Sequence, residues 1–320
     1  MREGKGESLL SFPNNFCVVD IETTGLDYSC DIIEVSAIRV VNGVISETFS
    51  ELIKPDDYYF DDAGNIVYID DFISDLTGIT NEMLSKADSI SSVLPRLEKF
   101  ISSDILVGHN IASFDSNFLY YAYSNVLGKT FANDFVDTMR LSRWIVPNLE
   151  HHRLVDLAHF FSINTDGMHR GLKDCEITYH CFCGLKKLVV DEYGSTDKFC
   201  SYIHKRLSKS NYNVRAKDIE AETTDFDISN PIYGSVCVFT GTLEKMTRKE
   251  AMQIVKNLGG ENGDSVTKKT NFLILGNNDF CKSIKDGKSS KQKKAEKLKS
   301  SGVDIEIISE SVFYDMAGVK

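Results

Sequence analysis

A short apolar run that ends in paired charges constrains this chain more than any other feature. Phe16, Cys17, Val18 and Val19 read as a buried strand, yet the stretch "FCVVDIETTGLD" closes that strand on Asp20 and Glu22. Side chains two apart on a strand share one face, so the two carboxylates stand side by side. Burying one unpaired carboxylate is costly, and a second beside it raises the cost. The chain must fold so that partners or cations meet these groups at the edge of a sheet.

The pattern downstream supplies such a sheet. "IIEVSAIRVVNGVISETFSELIKP" predicts a hairpin, with alternating apolar residues on either side of Asn42-Gly43, the dipeptide of a two-residue type I′ turn. Residues 55–75 read as an irregular acidic loop with a small hairpin at Gly64. Helices are predicted over 80–86 and 89–102, the second with Val93, Leu94, Leu97 and Ile101 at helical spacing. "ILVGHN" is a short strand, and "SFDSNFLYYAYSNVLG" a helix with Ser113 as N-cap and Gly128 past its end. "FVDTMRLSRWIV" takes a strand into a helix capped by Asp137 or Thr138, and helices follow at 153–162 and 171–190. Strands alternating with helices after an antiparallel hairpin predict a mixed-sheet α/β domain over 1–192. The pattern thins into a linker over 193–230, with one marginal helix near 196–208. A second unit over 231–320 reads β-α-β-α-β-α and implies a small parallel sheet.

Charge separates the two units. The net charge is −11, but residues 231–320 carry 15 Lys and Arg against 11 Asp and Glu, while residues 1–230 carry 21 against 36. An acidic domain can still handle phosphates if bound cations reverse the local sign. No apolar run approaches the roughly 20 residues that span a bilayer, so no membrane partner is expected. The N-terminal "MREGKGESLLSF" is too poor in apolar residues for a secretory signal. Eight cysteines without a C-x-x-C pair suggest neither a zinc ribbon nor a disulfide framework, and a reducing, cytoplasmic setting is expected.

Acidic residues recur where the pattern brings element ends to one edge of the first sheet. Asp20 and Glu22 close the first strand. Asp115 falls in the first turn of the helix after "ILVGHN", near the positive end of its dipole. Asp174 lies on or beside the inward stripe of the helix that carries Ile177, Cys181, Leu185 and Leu188. Any one of these, taken singly, reads more simply as a cap or a solvated loop residue. Four converging carboxylates repel unless cations sit between them, and oxygen-only ligands suit Mg²⁺ or Mn²⁺ rather than zinc. Two such ions are the common device for in-line displacement at phosphorus. His169 stands five positions before Asp174 in "GMHRGLKD" and can take a proton near neutral pH. His109, His151, His152, His159 and His180 fit no metal pattern and are expected to be structural or exposed.

With "DIETTG", "GHNIASFD" and "HRGLKD" in order, residues 16–190 resemble the DnaQ-like exonucleases with the Asp-Glu-Asp-Asp-His signature. The resemblance implies a ribonuclease-H-like fold, here a mixed five-stranded sheet with flanking helices, and 3′→5′ release of nucleoside monophosphates. It implies that Asp20, Glu22 and Asp174 hold the catalytic Mg²⁺ (or Mn²⁺), that Asp20 bridges to a second ion and that Asp115 helps place it. By the same resemblance His169 is the general base, and Thr23 and Asn110 contact the substrate strand. The implied partner is nucleic acid at single-stranded 3′ ends, DNA ahead of RNA. Sequence does not separate the two, because the metal chemistry acts on the phosphodiester while sugar choice depends on pocket shape. "DLTGIT" places Thr77 where that family usually has a histidine, so no catalytic role is expected there.

Residues 231–320 resemble a BRCT domain through "FTGTL", "TRKEA", "LGG", "VTKKTNFLILG" and "SKQKKAEKL". The resemblance implies a small α/β unit with a four-stranded parallel sheet. Thr240, Gly241, Arg248 and Lys294 are expected to form a pocket for one phosphate, with Lys291 and Lys268 nearby. A DNA 5′-phosphate end or a phosphorylated protein partner would fit that pocket. Against it stands the simpler reading that Thr240-Gly241 only makes the turn and the lysines form a solvated face.

Overall fold

The structure is a computed structural model that describes residues 4–27, 30–210, 214–243, 246–278 and 288–319. It divides into two compact units, Met1–Cys200 and Ser201–Lys320.

The first unit is organised by β1 (Phe16–Thr23), β2 (Ile32–Val41) and β3 (Val44–Lys54), which pair antiparallel. Asn42 and Gly43 between β2 and β3 have φ of 52° and 78°, the left-handed pair a type I′ turn needs. The acidic loop folds more than its sequence suggests. β4 (Tyr59–Phe60) and β5 (Ile66–Val67) form the small hairpin around Gly64. Behind it comes an unforeseen helix, α1 (Asp71–Thr77). Its signals are local: the Asp70 side chain caps the Ile73 N–H at 2.9 Å, and Gly78 closes the helix in the left-handed region. The Thr77 hydroxyl bonds the carbonyl of Ile73 in its own helix, a structural role.

There follow α2 (Asn81–Ser85), the two-residue strand β6 (Asp88–Ser89), α3 (Ile90–Ile101), β7 (Leu106–Gly108) and α4 (Asp115–Ala122). Next come β8 (Phe135–Asp137), α5 (Thr138–Ile145), α6 (Leu154–Phe160), α7 (Gly171–Tyr193) and α8 (Thr196–Ser210). The sheet order is β6-β3-β2-β1-β7-β8, with β7 parallel to β1 and to β8. Five strands were expected; the sixth is the edge strand β6, too short to leave a periodic trace in sequence.

One face of the sheet packs Val19, Ile21, Val35 and Ala37 against α3 through Val93, Leu94, Leu97 and Ile101. The other face belongs to α7, whose buried stripe runs Asp174, Cys175, Ile177, Thr178, Cys181, Phe182, Leu185 and Val189. Within the 193–230 segment the structure is more ordered than a linker. Phe199 of α8 is buried and stacks edge-on near Tyr193 and Phe12, while Ile219 joins the core of the second unit.

In the second unit β9 (Val236–Thr240), β10 (Glu261–Gly263), β11 (Phe272–Leu275) and β12 (Glu306–Ser309) form an all-parallel sheet in the order β10-β9-β11-β12. Its helices are α9 (Arg248–Asn257), α10 (Ser290–Ser300) and α11 (Glu310–Met316). Among the described residues no helix is long and apolar enough to cross a membrane.

Candidate active site

β1 delivers Asp20 and Glu22 to the face covered by α7, opposite Ser36 and Glu34 of β2. A register shift just past Glu22 ends the regular ladder and turns the chain toward Thr23, whose hydroxyl bonds the Gly25 carbonyl at 2.6 Å. α7 brings Asp174 down from the opposite side. Carboxylate oxygens of Asp20, Glu22 and Asp174 all lie within 4.8 Å of one another.

Asp115 comes from the first turn of α4 and is buried. Its Oδ1 accepts the Ile21 N–H at 3.2 Å, which locks α4 to β1 between the two carboxylates of that strand. Ser113 does not cap α4; Phe114 takes that place without a side-chain bond. The Ser113 and Phe114 N–H groups instead close a backbone turn on the Asn110 carbonyl, at 3.0 and 3.1 Å. Asn110 sits at φ 62°, a conformation Asn tolerates better than most residues. Its N–H donates to Asp137, the residue that also caps α5.

The electrostatics match the crowding. Burial first, then Asp115, Glu22 and Asp174, push the Asp20 carboxyl well above its ordinary range. Burial and the charges of Asp174, Glu34 and Asp115 raise Glu22 to about 8. Burial raises Asp115 to about 7, although the Ile21 N–H opposes the rise. Asp174 is raised by burial and eased by the His169 N–H, which donates to Oδ2 at 3.1 Å. The other oxygen, Asp174 Oδ1, is buried with no hydrogen-bond partner. A buried carboxylate oxygen left bare is a costly feature unless something binds it. Clustered oxygen donors, raised carboxyl pKa values and one bare buried oxygen together fit a hard divalent cation.

His169 stands at φ 64° on the segment entering α7 and is exposed. One charged neighbour escaped the sequence reading. Glu34 is 2% exposed and directly faces Glu22 across the ladder. Its signal was its position in "IIEVS", an acidic residue inside an otherwise apolar strand. His109 is half-buried between the Thr138 hydroxyl and the His152 carbonyl, at 2.9 Å each, and desolvation lowers its pKa, a structural histidine.

In the second unit, Thr240 ends β9 and its hydroxyl donates to Ser289 Oγ at 2.8 Å. Gly241 follows at φ 82° with its Cα against the Gly276 carbonyl, so no side chain fits there. Arg248 Nη2 donates to the Gly241 carbonyl at 2.8 Å, and Lys291 Nζ to the Phe239 carbonyl at 2.9 Å. Burial lowers the pKa of both cations, Lys291 further through the charge of Arg248, and Arg248 Nε is buried without a partner. Lys291 stands four before buried Ala295 and so faces the sheet, whereas Lys294 and Lys268 are exposed.

Residues 17–182 match the model of the Exonuclease family, and residues 228–316 that of the BRCA1 C Terminus (BRCT) domain. The chain is 35% identical over 198 residues to DNA polymerase III subunit epsilon of Aquifex aeolicus, covering 62% of this chain and 91% of that protein. It is 36% identical over 178 residues to a PolC-type DNA polymerase III of Caldanaerobacter subterraneus, covering 55% of this chain but only 12% of that protein. Among solved structures, E. coli Exonuclease I in complex with a dA16 oligonucleotide matches at 19% identity and a TM-score of 0.48, over 65% of this chain and 47% of that one. The chain belongs to the exonuclease family and is a 3′→5′ exonuclease that carries a BRCT domain.

Proposed function

We propose that this protein removes nucleoside 5′-monophosphates from DNA 3′ ends in a reaction that depends on two Mg²⁺ or Mn²⁺ ions. The observation that carries the reading is the meeting of Asp20, Glu22 and Asp174 within 4.8 Å, with Asp174 Oδ1 buried and bare. In this reading Asp20, Glu22 and Asp174 hold one ion, and Asp20 with Asp115 places the second. Bound ions supply Lewis-acid polarisation of the scissile phosphate and lower the pKa of the attacking water. The chain's own residues do the rest. His169, exposed and tied to Asp174 through its backbone N–H, takes the proton of the attacking water at its ring nitrogen. Asn110 and Thr23, on the turns that flank the carboxylates, steady the terminal nucleotides. The polymerase III relatives favour DNA over RNA as the substrate.

The BRCT unit provides the second contact. Thr240, Gly241, Arg248 and Lys291 would offer one phosphate, of a 5′ DNA end or a phosphorylated partner, a hydroxyl, a backbone turn and two cations. Tethering it to the nuclease raises the local concentration of ends near the carboxylates. We place the protein in the cytoplasm, in keeping with seven described cysteines that all carry free thiols.

The deciding experiment is a nuclease assay on matched 3′-labelled single-stranded DNA, duplex DNA and RNA, with Mg²⁺ and with EDTA. Release of labelled mononucleotide from single-stranded DNA, lost in EDTA and slower on RNA, is the expected result. Faster cleavage of RNA would reverse the substrate assignment, and full activity in EDTA would remove the metal reading.

A further inference from the structure

Glu34 is a buried charge facing another carboxylate, and like charges directly opposed across a ladder destabilise it. Buried charges persist only when paired and hydrogen-bonded. Most of the partners of Glu34 lie on the three-residue approach to α7. The Gly171 N–H donates to Oε2 at 3.0 Å, and the Arg170 guanidinium reaches both oxygens, Nη2 to Oε1 at 3.2 Å and Nε to Oε2 at 3.4 Å. The Ser50 hydroxyl adds a longer contact at 3.5 Å. Arg170 is the N-cap residue of α7 and makes no cap bond with its own side chain. A carboxylate from β2 therefore serves the first N–H of that helix, at the positive end of its dipole.

Gly171 shows how closely the segment is pressed onto β2. A Cβ there would lie 2.7 Å from Ser36 Oγ and 3.0 Å from Ser36 Cβ. Immediately before this clamp stands His169 at φ 64°, a backbone state that a non-glycine residue keeps only when its surroundings impose it. It is held on one side by Asp174, which accepts its N–H at 3.1 Å, and on the other by Arg170.

We infer that Glu34 and Arg170 are a positioning pair for His169, clamping the His169–Gly171 backbone so that the imidazole is presented to the carboxylate cluster. The inference rests on the reading of His169 as the general base. Neither residue need touch substrate. The Arg170 side chain is 43% exposed, so its ion pair adds little to stability. What it supplies is geometry, a two-nitrogen grip on the Glu34 carboxylate.

The test uses the full chain and compares wild type with Arg170→Ala, Arg170→Lys, Glu34→Gln, His169→Ala and the double variant His169→Ala/Arg170→Ala. Initial rates on 3′-labelled single-stranded DNA give kcat and KM, calorimetric titration gives Mg²⁺ affinity, and circular dichroism checks folding. Arg170→Ala is expected to lower kcat about tenfold through misplacement of the base, with KM and Mg²⁺ affinity within about twofold of wild type. Arg170→Lys restores part of the loss, and Glu34→Gln lowers kcat in the same direction. In the His169→Ala background, Arg170→Ala costs less than about twofold further, because its effect runs through a side chain already removed. A full additional loss in that background, or an equal fall in Mg²⁺ affinity, overturns the positioning role while leaving the base assignment standing. Wild-type turnover in His169→Ala overturns both.

Discussion

Neutralising Glu22 should stabilise the metal-free protein, and the gain should grow with pH. Burial and the charges of Asp174, Glu34 and Asp115 raise Glu22 from an ordinary 4.5 to about 8. A carboxyl whose folded-state pKa is raised adds stability below its unfolded pKa and loses it as pH climbs through the folded value. The loss at Glu22 therefore runs from about pH 4.5 to about pH 8. At ~1.4 kcal/mol per pH unit, an ionised Glu22 at pH 8 costs the metal-free fold on the order of 4 kcal/mol. Glu22 is only half-buried, so solvent screens part of that cost, and Glu22→Gln should recover roughly 2 kcal/mol, or about 4–8 °C in Tm for a domain of this size. At pH 5.5 the advantage should shrink to about a third, since only the first pH unit above 4.5 has been crossed.

The chain's one tryptophan, Trp144, sits in α5 of the first unit, so its fluorescence follows the unfolding of that unit alone. Melts in EDTA at pH 5.5 and pH 8 give the comparison, and a third melt adds Mg²⁺. The wild type should gain about 2.7 kcal/mol with Mg²⁺ at a hundredfold excess over its dissociation constant, and Glu22→Gln only a small part of that. A variant whose advantage in EDTA is the same at both pH values would refute the electrostatic account of this site. A wild type that Mg²⁺ does not stabilise would refute its use as a cation site.

Other expectations are more direct. His169→Ala should lower kcat about a hundredfold or more while calorimetry shows nearly unchanged Mg²⁺ affinity, since its hydrogen bond to Asp174 comes from the backbone N–H, which the substitution keeps. Thr240→Ala with Lys291→Ala should weaken binding of a 5′-phosphorylated duplex, measured by fluorescence anisotropy, and Lys294→Ala should not; equal binding of phosphorylated and unphosphorylated ends by wild type would remove the pocket. Gly43→Ala should cost about 1 kcal/mol in a chemical melt, because Gly43 sits at φ 78° with open space around it and only backbone preference opposes the methyl.

How much of this could be read from the sequence depended on what each element owed to its own residues. The β2–β3 hairpin was legible because Asn42-Gly43 states its turn type locally. The helix α3 was legible because its buried residues repeat at helical spacing. β6 and β10 were not: "DS" and "ENG" are edge strands without apolar residues, formed because a neighbouring strand offers its free hydrogen-bonding edge. α1 was missed for a different reason. Its caps at Asp70 and Gly78 were visible, but seven Asp residues over 55–75 made the region read as loop.

The carboxylates divide along the same line. Asp20 and Glu22 were legible because an apolar run ending in adjacent charges contradicts itself locally. Glu34 contradicts its strand in the same way, yet its meaning depends on Glu22 facing it across β1–β2, and on Arg170 and Gly171, 136 and 137 residues away. Register decides that meeting. A one-residue slip would turn Glu34 to the face packed by Val35 and Ala37, among apolar side chains with no counter-charge. The buried glutamate thus penalises a one-residue slip, and in the observed register it supports the segment that carries His169. A residue that looks like a fault in a core strand fixes both the pairing of the sheet and the approach to α7, and for that reason Glu34→Gln should lower turnover even though no atom of Glu34 need meet the substrate.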